Sequence, residues 1–367
     1  MDNRPQIRYI NIAKGFAIFA VVLWHLRFEI GNDFFPIANL FGAMWHVPVF
    51  FMLSGFFIRE EKLLQPKSFI RNKMKRLYIM LLYYYFPATL MHNCLLDWGW
   101  YDTTIDYHGK FVTYWNCSEL LKRIAECMAF AGREPIMGAM WFVYVLLLAF
   151  IGYSLVSTVV HRIVKEEKKY EIYKALLLLF LVIVSCVFSE KFSLTIPRVN
   201  NTFTAIWLIY CGYIIRNVVK VDFNNGYVAI AAFLLLYHTA MIGGGISLNR
   251  NYYHDAFFLT GVSFSALYIV CYLSRKIEFT WGGIFLEKCG KESFHIMALH
   301  LVGFKFGIII INLLGANIFL ADQMPKLGSN YLYVVILFTF GITFPLVFMY
   351  LFRKVKTFVI VKCQRCV

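Results

Sequence analysis

Charged residues are scarce in this 367-residue chain, because Asp, Glu, Lys and Arg together make up only 16% of it while 60% of its residues are hydrophobic. This balance excludes an ordinary soluble globular protein. Internal repeats and low-complexity tracts are also missing, and the longest polar stretch, 96–137, is too short for an ordinary separate domain. We therefore expect a single membrane-embedded domain over 1–367, with no domain for binding nucleic acid.

Signals for metal binding and for N-terminal processing are equally weak. The nine cysteines are scattered, and the pair Cys363 and Cys366 has no second half with which to complete a zinc site. We expect no metal. The apolar run that follows Arg4 and Arg8 has no small-residue cleavage site after His25, so the sequence predicts a retained first helix rather than a signal peptide.

Long apolar runs are what the sequence has in abundance. Runs of about 17 to 25 mainly apolar residues, each long enough to cross a bilayer as a helix, recur along the whole chain. They predict an all-α polytopic membrane bundle of about ten transmembrane helices. The predicted spans are 9–27, 38–58, 77–95, 138–160, 175–189, 202–215, 227–242, 256–274, 293–314 and 331–352.

The distribution of Lys and Arg predicts the orientation. If the N-terminus is inside, ten spans place 25 of the 36 basic residues on the inner side and nine on the outer side, with Lys14 and Lys305 inside spans. Acidic residues divide ten to eleven, so the inner face sums to +15 and the outer face to −2. This bias is typical of cytoplasmic loops. It predicts a protein of the cytoplasmic (inner) membrane with both termini in the cytoplasm.

The stretch "KGFAIFAVVLWH" gives the first span an ammonium group at Lys14 and an imidazole at His25. Eleven residues are three helical turns plus about 20°, so the two side chains lie on one face, about 16 Å apart along the axis. Asn11 falls close to the same face. Ionisable groups inside a membrane usually face a bundle interior or a water-filled cavity. The alternative is that Lys14 and His25 reach the two interfaces of the membrane.

Two further features lie close to this polar stripe in the chain. The second span, "MWHVPVFFMLSGFFIRE", places His46 at a depth comparable with that of His25, and Gly55 allows close helix packing. The following basic loop leads into span three through Arg71 and Arg76. Guanidinium groups hold phosphates by charge-assisted contacts, although positive charge on the inner side alone also explains this cluster.

These motifs together resemble the acyltransferase 3 family of integral-membrane acyltransferases. The family pattern of a basic residue, ten residues and a histidine is matched by "KGFAIFAVVLWH", where Lys14 stands in place of the more usual Arg. Its "FFxLSGF" second span is matched by "FFMLSGFF", and its basic stretch before span three by "RNKMKRL". A Trp-Phe pair opening a middle span is matched at Trp141, and a Gly-Lys-x-Ser segment leading to a late histidine by "GKESFHIMALH" with His300.

The resemblance implies an enzyme that takes an acetyl or other short acyl group from cytoplasmic acetyl-CoA, as a donor substrate, to a hydroxyl of a polysaccharide or lipid-linked glycan in the cell envelope. His25 is then the general base or the acyl-carrying residue, between which the sequence does not choose. Donor contacts are assigned to Lys14, Arg71, Arg76 and His300, the last on the donor side because it lies seven residues in from the inner end of span nine. Acceptor contacts are assigned to His46 and Trp141.

The segment 96–137 carries aromatic residues interleaved with carboxylates, a combination that suits either sugar binding or an interfacial aromatic belt. Two functions from other classes compete with the enzyme. One is a secondary transporter or channel in which Lys14, His25 and His46 are proton or substrate sites. The other is a membrane scaffold without catalytic activity, which explains the topology but not the polar stripe.

Overall fold

The computed structural model describes residues 8–28, 40, 44–105, 107, 111–129, 131–132, 134–191, 198–242, 246–250, 252–328 and 330–364. Every predicted span contains helix within this part of the chain. The helices are α1 (Arg8–Trp24), α2 (His46–Gly55), α3 (Glu60–Leu63), α4 (Pro66–Lys73), α5 (Ile79–Leu90), α6 (His92–Asp97), α7 (Cys117–Met128), α8 (Trp141–Ile163), α9 (Glu167–Lys191), α10 (Val199–Tyr213), α11 (Gly226–Met241), α12 (Ala256–Lys276), α13 (Trp281–Lys291), α14 (Ser293–Leu313) and α15 (Tyr331–Gln364).

Five helical segments are long and apolar enough to cross a membrane: Pro135–Ile163, Glu167–Ser189, Ala256–Lys276, Ser293–Leu313 and Tyr331–Thr357. They coincide with the fourth, fifth, eighth, ninth and tenth predicted spans. Two shorter apolar helices, α2 and α11, fall within the second and seventh. The class of fold, an all-helical membrane bundle, is confirmed, and the total of about ten spans remains a prediction. The first part of the second predicted span lies mostly outside the described residues.

Local sequence explains where several helices begin. The Asp255 carboxylate accepts hydrogen bonds from the main-chain N–H groups of Phe257 and Phe258, at 2.8 Å each, and so caps α12. Asn116 and Glu119 form a reciprocal capping box at the start of α7. Such caps satisfy main-chain donors that have no partner within the first turn of a helix.

The predicted inner loops contain helices that the apolar pattern does not mark. Segment 59–76 includes α3 and α4, followed by a π-helical turn at Met74–Tyr78, and segment 275–292 includes α13. The helix α13 ends at Lys291 and α14 begins at Ser293, so only Glu292 separates them. The helix α13 packs antiparallel along α1, with Phe285 near Phe19 and Gly290 near Asn11, and α14 packs mainly along α15.

Glycines allow the closest helix contacts. A Cβ atom on Gly290 would lie 1.7 Å from the carbonyl oxygen of Asn11, and one on Gly15 would lie 2.2 Å from the carbonyl oxygen of Leu286. The main chains of α1 and α13 therefore touch. The predicted close packing at Gly55 is also confirmed, because a Cβ atom there would lie 2.0 Å from the carbonyl oxygen of Ile209 in α10.

In the described part of the chain, extended structure is limited to a short pair of parallel strands and an isolated bridge. The strands are β1 (Arg27–Phe28), just after α1, and β2 (Lys326–Gly328), just before α15. Arg27 pairs with Lys326 and Phe28 with Gly328. This pairing joins the end of α1 to the loop between α14 and α15.

Candidate active site

His25 is the first residue beyond α1 and is half-buried. Its Nδ1 lies 2.8 Å from the carbonyl oxygen of Val21. A carbonyl oxygen only accepts hydrogen bonds, so Nδ1 carries the proton in the neutral ring. The proton-accepting nitrogen is then Nε2, as a general base requires.

His300 lies directly against His25. The two ring centroids are 4.8 Å apart in an edge-to-face arrangement, and His300 is fully buried in α14. The Nδ1 of His300 donates to the carbonyl oxygens of Ile296 and Met297, at 3.0 Å each. Its Nε2 is shielded from solvent and has no hydrogen-bond partner. Two imidazoles therefore meet, and each holds its proton on Nδ1 when the ring is neutral.

The sequence assigns His300 to the donor side because counting along the ninth predicted span places it nearer the inner end, and that assignment stays a prediction. The ring contact places His300 beside His25. The helix α13 runs antiparallel to α1, with Phe285 near Phe19 and Gly290 near Asn11, so it ends at the Asn11 end of α1, and α14 then brings His300 back to His25.

The stripe on α1 continues from His25 to Lys14. Lys14 is half-buried, and its ammonium nitrogen lies 4.8 Å from the ring centre of Phe57. Since α1 is helical throughout Arg8–Trp24, the spacing of about 16 Å along the axis between Lys14 and His25 holds. Asn11, on the same stripe, is buried against Gly290.

Lys73 joins Lys14 in a cationic cluster together with Arg76. The Lys73 ammonium lies 3.4 Å from the ring centre of Phe150 and 5.2 Å from that of Phe69. Burial, together with the positive charges of Arg76 and Lys14, lowers the pKa of Lys73 to about 7. The basic stretch "RNKMKRL" contains Lys73, but nothing in the sequence singles it out.

No described carboxylate lies within 4.0 Å of Lys14, Lys73, Arg71 or Arg76. Several acidic side chains on the same side of the bundle are paired elsewhere. Glu287, for example, accepts from Arg8 and Lys291, and its pKa is lowered chiefly by the hydrogen bond from Lys291. A group of cations without counter-ions is suited to binding an anion.

Arg71 and Arg76, which the sequence treats as one pair, have different surroundings. Arg71 lines a surface cleft along one face of α4, together with Lys67, Ser68, Asn72 and Lys75. Arg76 acts electrostatically on Lys73. Both guanidinium groups are exposed. The cations thus form a cleft on α4 and a cluster between α1 and the end of α4.

The two residues assigned to the acceptor begin helices. His46 is the first residue of α2 and is buried, with 7% of its surface exposed. Trp141 is the first residue of α8 and is half-buried. The 3-10 turn that precedes it, Pro135–Met140, packs against α14, which carries His300.

A polar brace unmarked in the sequence connects α5, α14 and α15. Arg353 donates two hydrogen bonds to Glu292, at 2.7 and 2.8 Å. The Tyr84 hydroxyl is hydrogen-bonded to His295 Nδ1 at 2.5 Å, and His295 Nε2 lies 3.7 Å from a Glu292 carboxylate oxygen. These contacts fix the position of the break between α13 and α14, and therefore the direction in which α14 runs toward His25.

The aromatic segment 96–137 is largely part of a second buried network. His92 faces acceptors at both ring nitrogens, Glu134 at 2.8 Å and the Thr113 carbonyl at 3.0 Å. Tyr101 donates to the other Glu134 oxygen at 2.8 Å, and burial raises the pKa of Tyr101. The His92 ring stacks on Trp115, with centroids 3.4 Å apart. All of these groups are satisfied, so the network fixes the segment in place.

Other members of the segment remain open to solvent. Trp98 and Tyr114 are more than half exposed, and the Tyr114 hydroxyl donates to Asp97 at 3.0 Å. Asp106 and His108, which are part of the predicted aromatic and acidic set, lie outside the described residues. Among described residues, no group of three or more His, Cys, Asp or Glu side chains has a geometry that would hold a metal ion.

The chain belongs to the acyltransferase 3 family. The model of this family, described as an acyltransferase domain, matches residues 7–351 of the 367. Of the residues described for the candidate site and its surroundings, all but Arg353 lie in the matched region. No curated protein and no solved structure matches the chain. The chain is therefore a membrane acyltransferase, and its expected membership of this family is confirmed.

Proposed function

We propose that this protein transfers an acetyl or other short acyl group from acyl-CoA to a hydroxyl of a cell-envelope or exported polysaccharide, or of its lipid-linked precursor. The proposal treats 1–367 as one catalytic domain in the cytoplasmic membrane, with both termini inside. Family membership supports acyl transfer. The identities of donor and acceptor are inferred here from the chemistry of the site.

One observation carries the proposal: a pair of imidazoles and a group of unpaired cations lie at different levels of the same helix face. The His25–His300 pair, with ring centroids 4.8 Å apart, stands beyond the last turn of α1. Lys14 lies about 16 Å back along the axis, next to Lys73. A donor with phosphates at one end and a thioester at the end of a long arm matches this arrangement.

The reaction follows from the imidazole tautomers. His25 Nε2 removes the proton from an acceptor hydroxyl, whose oxygen attacks the thioester carbonyl carbon. A carbon–oxygen bond forms and the carbon–sulfur bond breaks. The CoA thiolate then takes the proton from the His25 imidazolium, so protons and electrons balance. In the two-step alternative, Nε2 accepts the acyl group first and passes it to the hydroxyl afterwards.

His300 has a different part in this scheme from the donor contact expected from the sequence. Its ring and the His25 ring are in edge-to-face contact, and its Nε2 is shielded from solvent and has no hydrogen-bond partner among the described residues. A nitrogen lone pair next to the His25 ring stabilises the positive charge that His25 gains when it takes up a proton. We therefore assign His300 to the reacting end of the donor, where it supports the imidazolium of His25.

The phosphate end of the donor is assigned to the cations. Lys14, Lys73 and Arg76 lie close enough for their charges to affect one another, and a bound phosphate would relieve that repulsion. Arg71 lines the neighbouring cleft on α4 and is assigned to the remaining phosphate of the donor. His46 and Trp141 keep their assignment to the acceptor.

The test is to separate binding from chemistry along α1. Purified His25→Gln should lose about 10²- to 10⁴-fold in acetyl transfer because the base is gone, while acetyl-CoA affinity stays. Lys14→Gln should bind acetyl-CoA about 10- to 100-fold more weakly, since a charge-assisted contact is lost. Calorimetry measures the affinity, and mass spectrometry of the glycan measures transfer.

Two matched variants serve as controls. His161→Gln and Lys165→Gln make the same replacements at exposed positions and should leave both measurements unchanged. Near-normal transfer by His25→Gln would remove His25 from the chemistry. A folded wild type that does not bind acetyl-CoA would contradict acyl-CoA as donor. It would favour the alternative function, a transporter in which Lys14, His25 and His46 carry protons.

A further inference from the structure

The loop between α14 and α15, residues 314–328, is held by a lysine that the proposed reaction does not use. Lys305 lies in α14 with 1% of its surface exposed. Its ammonium group donates to the carbonyl oxygens of Leu320 and, at 2.9 Å, of Asp322. Burying an ammonium group is costly unless it is well bonded. The loop carbonyls provide those bonds, so Lys305 and the loop fix each other.

Other side chains hold the same loop on both sides of this contact. Asn312 forms a reciprocal pair of hydrogen bonds with the main chain of Ile318, at 2.8 and 2.9 Å. The Tyr107 hydroxyl donates to the carbonyl oxygen of Ala321 at 3.0 Å. Three consecutive carbonyls, 320 to 322, are therefore bound by side chains from elsewhere in the chain. The loop has a defined course.

That course brings the loop to the end of the bundle that carries His25. Lys326 of β2 pairs with Arg27 of β1, two residues after His25. Gln323 lies three residues before Lys326. At no more than about 3.6 Å per residue and about 4.8 Å between strands, the Cα atoms of Gln323 and His25 lie within about 23 Å of each other. This is within reach of a few linked sugar units.

Gln323 carries a polar group that the fold leaves unpaired. Both its amide oxygen and its amide nitrogen are shielded from solvent and make no hydrogen bond. Buried polar groups are nearly always bonded, and an unbonded one calls for an explanation. A primary amide both donates and accepts, which matches a sugar hydroxyl that does the same.

We propose that Gln323 binds a hydroxyl of the glycan acceptor, and that Lys305 is the positioning residue that holds its loop at the His25 end of the bundle. The inference rests on the proposed function, because it needs an acceptor that carries hydroxyl groups. It adds an acceptor-binding residue at a position outside every motif of the sequence. Gln323 then contributes to which hydroxyl reaches His25.

The test uses acetyl-CoA as donor and a panel of p-nitrophenyl glycosides of glucose, galactose, mannose, rhamnose and N-acetylglucosamine as acceptors. Gln323→Leu should raise the KM for the glycoside that the wild type acetylates best by about 3- to 10-fold, the effect of one hydrogen bond. The KM for acetyl-CoA should not change. Asn317→Leu replaces an exposed amide in the same loop and should alter neither value.

Lys305→Met is the second variant. It keeps an apolar stem but removes both bonds to the loop, so it should raise the acceptor KM in the same direction as Gln323→Leu. Retained acetyl-CoA affinity, measured by calorimetry, shows that the variant is folded. An acceptor KM unchanged in Gln323→Leu, with glycoside acetylation by the wild type, overturns this inference alone. A wild type that binds acetyl-CoA but acetylates no glycoside contradicts the glycan acceptor, and the inference with it.

Discussion

At the scale of single residues, the site depends on contacts between groups far apart in the chain. His25 and His300 are separated by 275 positions and yet share one edge-to-face contact. The sequence marks each histidine separately through its spacing from Lys14 or from the Gly-Lys-x-Ser segment. It does not mark their contact, because that depends on how α14 runs along α1.

His300→Phe tests the role of the second imidazole. The variant keeps a ring against His25 but removes the Nε2 lone pair, so kcat should fall about 10- to 100-fold, the cost of losing a contact to a charged group. Acetyl-CoA affinity should stay within about twofold. Steady-state kinetics and calorimetry measure the two quantities, and Phe304→Leu controls for packing around the ring. A loss of affinity at normal kcat would instead support the donor contact predicted from the sequence.

Lys73 predicts a pH dependence of donor binding. Its pKa of about 7 in the free protein means that the amine loses its proton as the pH rises above 7. Bound phosphates favour the charged amine, so binding above pH 7 requires proton uptake. Acetyl-CoA affinity should therefore fall by up to about tenfold per pH unit from pH 7 upward, until the pKa of the complex is reached.

Calorimetry in buffers of different ionisation enthalpy measures this proton uptake directly. Lys73→Met should bind more weakly at pH 7 and lose the pH dependence, while Lys62→Met, at an exposed position in α3, should keep it. The same pKa shift also makes folding stability depend on pH, in the opposite direction to donor binding. The folded pKa lies below the ordinary value of 10.5, so the unfolded chain binds more protons and Lys73 disfavours the fold less as the pH rises from 7 toward 10.5. Equal proton uptake by wild type and Lys73→Met would exclude Lys73 from the donor site.

At the scale of elements, apolar pattern identifies the long helices and misses the short amphipathic ones. Spans such as 256–274 and 293–314 agree with Ala256–Lys276 and Ser293–Leu313 to within about two residues, because long uninterrupted apolar runs are a strong local signal. The helix α13 is missed because its 11 residues include Glu287, Lys288 and Lys291, which read as a basic inner loop. Its role depends on glycine contacts with α1, which no local pattern reveals.

Gly290→Ala tests the contact between α1 and α13. The new methyl group would meet the carbonyl oxygen of Asn11, so the helices must separate and the protein should lose about 1 to 3 kcal/mol of stability. Thermal unfolding in detergent measures the change. Gly282→Ala, in the same helix, is the matched control, because the nearest atom to its new methyl group is the Thr280 hydroxyl at 3.9 Å. It should be neutral or slightly stabilising, since Ala favours helix. Equal stability of the two variants would mean that the contact is not close.

At the scale of the whole molecule, the charge distribution and the site geometry together predict the direction of acyl transfer across the membrane. In the predicted orientation, the cations of α4 belong to the side that sums to +15, Lys14 lies inside the first span toward that side, and the His25 end lies toward the side that sums to −2. In the proposed function, a cytoplasmic donor enters from the cationic side, the acyl group is transferred near the opposite face, and the donor itself does not cross the membrane.

Single-cysteine labelling in intact cells, in a background lacking the native cysteines, tests this orientation. Lys62→Cys and Lys288→Cys are exposed positions in α3 and α13, and Ser118→Cys is an exposed position in α7. A membrane-impermeant maleimide should label position 118 in intact cells and positions 62 and 288 only after the cells are made permeable, because charge places these loops on opposite faces. Labelling of position 62 or 288 in intact cells would show that the predicted orientation of the bundle is inverted. The phosphate-binding cations would then face outward, away from cytoplasmic acyl-CoA, and the proposed path of the acyl group would have to be abandoned even if His25 and Lys14 behave as expected in detergent.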